Sequence, residues 1–140
     1  MRRRWRWPAV LAALAALTCA PRAATAPPAA CATAPLCRCS ADQLACDAVP
    51  YYRFPEIGAG VSHVALWTAR LSELPEAALD GRALRSLVLV AARLHRLHPA
   101  AFASMTTSLA SLDLSHNELG ELPLGALRRL RALNWLNLQK

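Results

Sequence analysis

The sequence predicts a solenoid, a stack of similar coils behind a short cysteine-rich block. Three observations predict it. The leucines of residues 61–140 recur at one fixed set of steps, in units of 23, 25 and 24 residues. Four cysteines crowd into the stretch before them. Neither a helical period of 3.6 nor plain strand alternation accounts for the leucine spacing. Composition agrees: 30 of the 140 residues are Ala and 25 are Leu, too aliphatic for a disordered chain. No run of 18 apolar residues lacks a charge or a proline, so no long membrane span is expected.

Residues 1–24 read as a secretory signal. Arg2, Arg3, Arg4 and Arg6 form a positive start, Ala9 to Ala20 a short apolar stretch, and small residues follow through Ala26. Cleavage is expected near Ala23–Ala24. An organelle transit peptide is the alternative, because the first 40 residues contain no acid. The formal charge of +7 is concentrated here: residues 1–24 hold five arginines, and the remainder has eleven basic against nine acidic groups. A nucleic-acid partner is therefore not expected, since phosphate tracking needs basic residues clustered on the folded surface.

Residues 25–35 form a flexible Ala/Pro-rich lead-in. The cap spans residues 31–60, with strand candidates near Arg38–Ser40 and Leu44–Asp47 and a Gly-Ala-Gly breaker at 58–60. Cys19 falls inside the signal, leaving Cys31, Cys37, Cys39 and Cys46. An even number of closely spaced cysteines in an oxidising compartment reads as two disulfides. Four thiolates on one zinc ion are the alternative, although the C-x-C at the centre differs from the usual C-x2-C knuckles.

The repeats are read from their steps. From Leu109, leucines fall at steps 1, 4, 6, 11, 14, 19 and 22, with Asn117 at step 9 and Pro123 at step 15. Leu84, Leu87, Leu89, Leu94, Leu97, Phe102 and Met105 occupy those steps in the preceding unit. Val61, Val64, Leu66, Leu71, Leu74 and Leu79 match in the unit before that, and Leu133, Leu136 and Leu138 begin a fourth. Steps 4 and 6 alternate inward on a short strand, so Leu112 and Leu114 should be core and Asp113 should face out.

These residues resemble the extracellular leucine-rich repeat family in its 24-residue form, with a cysteine-rich N-terminal cap, over Cys31 to Lys140. The resemblance implies an α/β leucine-rich repeat solenoid: a parallel concave sheet, an irregular or short-helical convex side, and a disulfide-stapled cap. It also implies pairings of first to third and second to fourth cysteine, Cys31–Cys39 and Cys37–Cys46. The cap would cover the first repeat's exposed edge, since no repeat is stable alone. Asn117 sits where the chain leaves the strand, and its amide can bond the adjacent turn. Ala69 and Ala92 replace it in the first two repeats, so those coils must pair backbone groups directly or through water. Lys140 falls at step 8 of the fourth repeat with no cap after it. The sequence is thus expected to be an N-terminal fragment of a longer protein or a truncated gene model, with membrane anchoring possible only beyond it.

Catalysis is not expected, and neither is a cofactor or a metal. His63, His95, His98 and His116 are candidate bases, but Ser115-His116 is the variable pair before Asn117, and adjacent strand residues diverge. No G-x-S-x-G, H-E-x-x-H or phosphate loop occurs. Function then lies in contact with an extracellular protein ligand or receptor through the concave face, in a secreted, matrix or cell-surface adhesion protein. A non-catalytic subunit that stabilises an extracellular enzyme is the alternative. The candidate contact residues are His63, Trp67, Arg85, Asp113, His116 and Trp135. Ser115 is also expected to face outward, Arg85 is expected beside Trp67, and Trp67, Arg85, Asp113 and His116 are expected to form one patch. No N-x-S/T sequon is present.

Overall fold

A computed structural model describes residues 37–48, 52–76 and 78–140. The signal segment, the lead-in and Cys31 lie outside the described residues. Two short strands form the cap, β1 (Arg38–Cys39) and β2 (Gln43–Asp47). Then come β3 (His63–Trp67), β4 (Glu73–Leu74), β5 (Ser86–Val90), β6 (Arg96–Leu97), β7 (Ser111–Asp113), α1 (Leu124–Leu127) and β8 (Trp135–Asn137). One six-stranded sheet runs β1-β2-β3-β5-β7-β8, and β4 pairs with β6 in a second. Among the described residues only β1 is antiparallel to its neighbour; every other pair is parallel.

Parallel pairing follows from the period. Each coil returns to the same side after 23–25 residues, so His63, Ser86, Ser111 and Trp135 come into register. The inward steps then stack in rows. Leu44, Val64, Leu87, Leu112 and Leu136 form one row, and Cys46, Leu66 and Leu89 another. All but Leu136 are buried; Leu136 lies on the edge strand and is 41% exposed. Phe102 and Met105 reach the same core from the second coil's return, where Ala103–Met105 make a 3-10 turn.

Backbone bonds between coils repeat at fixed steps. The carbonyls of Ser62, Arg85 and Ala110 each accept two N–H groups from the next coil. At the other strand end, the N–H groups of Ala48, Thr68, Ala91 and His116 donate to the carbonyls of Trp67, Val90, Ser115 and Gln139. These four donors share one backbone conformation, with φ of 50°, 55°, 52° and 55°. Left-handed geometry disfavours residues with a Cβ, yet the first three coils adopt it at step 8 and the cap at Ala48. It turns the chain off the strand.

The cap is stapled as the resemblance implied for one pair, Cys37–Cys46, with Cα atoms 4.3 Å apart. Cys39 is disulfide-bonded as well, while the expected pairing with Cys31 involves a residue outside the described set. Three cysteines held in disulfides offer no thiolate to a metal, which overturns the zinc alternative. Replacing Cys37 and Cys46 together by Ala should lower stability by about 2–3 kcal/mol, as closing a loop of this length predicts. Urea denaturation of the oxidised protein and the double variant checks it.

Candidate functional site

The outer face of the six-stranded sheet is the candidate site, and strand register fixes its three rows. The first holds Gln43, His63, Ser86, Ser111 and Trp135. The second holds Ala45, Ala65, Val88, Asp113 and Asn137, and the third Asp47, Trp67 and Val90. Small side chains dominate the middle. The two tryptophans stand at opposite strand ends, Trp67 39% exposed between Asp47 and Val90 and Trp135 47% exposed on β8. Three strand spacings and four residues separate them, roughly 20 Å.

Both strand ends are fixed. At the Trp67 end, Thr68 Oγ1 donates to Asp47 Oδ1 at 3.0 Å and accepts the Ala48 N–H at 3.1 Å. That N–H also reaches the Trp67 carbonyl at 3.1 Å, tying the cap to the first coil beside the indole. At the other end, His63 Nδ1 lies 2.8 Å from Ser62 Oγ and 3.4 Å from Asp42 Oδ2. Serine, histidine and aspartate thus meet, but on one ring nitrogen. A nucleophilic triad needs serine on one nitrogen and aspartate on the other, so this cluster joins cap to coil and has no relay geometry.

Several expected placements change. Arg85 is exposed and stands immediately before β5, next to the residue that pairs with His63. Trp67 pairs with Val90 at the other end of that strand, so Arg85 is not beside it. Ser115 is 4% exposed, not outward. The strand has ended at Asp113, whose Oδ1 accepts the Ser115 N–H at 2.8 Å and folds the chain inward. Asp113 faces out, but its other oxygen accepts from Asn137 Nδ2 at 3.2 Å, so it is already engaged. His116 is exposed beyond the strand end. Trp67, Arg85, Asp113 and His116 therefore do not form one patch. His63 and Trp135 share a row, Trp67 and Asp113 occupy the other two, and Arg85 and His116 flank opposite ends.

Asp47 and Gln43 were missed as members of this face. They come from β2, which lacks the leucine spacing. The alternation of inward Leu44 and Cys46 was the available signal. The remaining histidines lie beyond the sheet. His95 Nε2 meets Glu118 Oε2 at 2.8 Å, and His98 Nδ1 lies 3.9 Å from Glu76 Oε2. Each pair joins neighbouring coils. Among the described residues no cluster of His, Cys, Asp and Glu could hold a metal, and no helix is long and apolar enough to cross a membrane.

Residues 82–140 match the leucine-rich repeat family. The fold is a leucine-rich repeat solenoid. Among solved structures it is similar to the crystal structure of human 5T4 (Wnt-activated inhibitory factor 1, trophoblast glycoprotein), with 28% identity and a TM-score of 0.63. That match covers 83% of this chain and 42% of the 5T4 chain, so the chain spans under half the length of this structural relative. No curated protein matches it in sequence.

Proposed function

We propose that this chain is a non-enzymatic recognition module of a secreted, matrix or cell-surface protein, and that it binds a protein partner through the outer, concave face of its six-stranded sheet. The observation that carries this reading is the pair of exposed tryptophans, Trp67 and Trp135, standing over small side chains on a rigid sheet. Binding energy concentrates in such aromatic anchors, and small neighbours let a partner approach closely. The likeness to 5T4 and the Cys37–Cys46 disulfide support an oxidising, extracellular setting. Residues 1–24 then serve as the secretory signal.

Binding of the oxidised chain to a panel of purified extracellular proteins tests the proposal. For a specific partner, Trp67→Ala should weaken binding by about 1–3 kcal/mol with an unchanged melting temperature. Arg128→Ala, off this face, should be near neutral toward a glycan-free partner. Equal losses from both variants would move the interface elsewhere.

A further inference from the structure

Charge is distributed unevenly around the coils. All nine carboxylates lie within the described residues. Asp42, Asp47 and Glu56 belong to the cap and Asp113 to the sheet, while Glu73, Glu76, Glu118 and Glu121 follow the strands at steps 10–16. Arg70, Arg93 and Arg96 share that acidic side. The opposite side, where each coil returns, carries Arg82, Arg128, Arg129 and Arg131 against Asp80 alone. The intervening second coil contributes neutral Ser104, Thr106 and Thr107.

The third coil's return reads Leu-Arg-Arg-Leu-Arg-Ala over residues 127–132. Its three arginines are exposed, while Leu130 between them is buried. The backbone beneath them is held: Arg128 N–H bonds Leu124 O at 3.1 Å, Leu130 N–H bonds Leu127 O at 3.0 Å, and Arg131 N–H reaches across to Thr106 O at 2.8 Å. Every ion pair between described residues involves a histidine, so no carboxylate neutralises these guanidiniums. Three forked donors on a fixed backbone match the oxygens of sulfate groups.

We propose that Arg128, Arg129 and Arg131 form a binding site for a sulfated polysaccharide, on a side of the solenoid separate from the protein-binding face. Short arginine-rich runs on a folded surface bind such polyanions electrostatically. A disulfide-bonded chain belongs in an oxidising compartment, which favours a sulfated glycan over nucleic acid as the polyanion. An anionic membrane is the rival surface, since exposed Leu124 is one turn from Arg128. Yet an interfacial helix needs a long apolar face, and α1 has four residues.

Surface plasmon resonance of the full oxidised chain on immobilised heparin at 0.15 M salt tests the site. R128A/R129A/R131A should weaken binding about tenfold or more, and R129A alone about two- to fivefold, with melting temperatures unchanged. R70A/R93A/R96A removes the same charge from the acidic side and should change affinity less than about twofold. Both triple variants have the same N-terminus, so their difference reports location. Desulfated heparin should bind weakly. Equal losses from the two triple variants, no binding to heparin, or a loss confined to phosphatidylserine vesicles would overturn the proposal.

Discussion

Leu114→Ala should destabilise the oxidised chain by about 2–5 kcal/mol in urea denaturation, the cost of removing a buried leucine from a close-packed core. Leu114 is 2% exposed and lies just past β7, where its N–H donates to Asn137 O at 2.9 Å across to the fourth coil. The cavity would open between the coils that carry β7 and β8, at the edge of the sheet among the described residues. Collapse of the surrounding coils therefore determines where in that range the cost falls. Asp113→Ala provides the contrast. Alternation alone puts the aspartate outward and predicts almost no cost. Its carboxylate instead accepts from the Ser115 N–H and from Asn137 Nδ2, so its loss should cost about 1 kcal/mol. The leucine should still dominate. Reversed costs would mean a register wrong by one residue, which exchanges the two faces of a strand.

The register was legible because buried side chains set it. Val64 and Leu66, Leu87 and Leu89, and Leu112 and Leu114 keep the same steps in units of different length; the structure pairs Val64 with Leu87, Leu66 with Leu89 and Leu87 with Leu112, and buries all six. Nothing comparable marks the turn at step 8. Ala48, Thr68, Ala91 and His116 adopt a positive φ there, yet none is Gly or Asn, the residue types that announce such a turn. The bonds between coils impose the geometry, and they appear only once coils are stacked. Ser115 illustrates the consequence. Counting steps placed it outward with Trp67 and Val90, but its strand had already ended at Asp113.

The candidate face was legible to a lesser degree, because a recognition surface requires neighbours as well as orientation. Step counting put Trp67, Asp113 and Trp135 outward correctly. It could not show that Arg85 and Trp67 mark opposite ends of paired strands, nor that the cap adds Asp47 beside the indole. The arginines of the third coil's return were equally visible in sequence. Their significance depends on where carboxylates lie in neighbouring coils, which a linear reading does not place.

Asn117→Ala should cost about 3–5 kcal/mol, although Asn117 is only one polar side chain. Its Oδ1 accepts the N–H groups of Ala92 at 3.0 Å and Leu94 at 3.2 Å in the preceding coil. Its Nδ2 donates to Leu89 O at 2.6 Å, Leu114 O at 2.8 Å and Ser115 O at 3.2 Å. Asn117 is 8% exposed, and Leu89, Ala92, Leu94 and Leu114 are buried, so the truncated site would deprive two donors and the Leu89 and Leu114 carbonyls of this partner, while Ser115 O keeps the Ala91 N–H. Each unsatisfied buried group costs about 1–3 kcal/mol, and water entering the vacated space would return part of it. The preceding coil has Ala92 at the equivalent step, and there Leu71 N–H bonds Ala92 O directly at 3.0 Å. Coil stacking therefore has two solutions in one molecule. Asn117→Asp separates them further: it keeps the acceptor but turns a second oxygen toward three carbonyls, and should be at least as damaging as Ala. Hydrogen exchange locates the effect, because Ala92 and Leu94 amides should lose protection in both variants before the amides of β3 do. A cost below about 1 kcal/mol, with those amides still protected, would show that the second coil satisfies its own backbone and that the asparagine is dispensable.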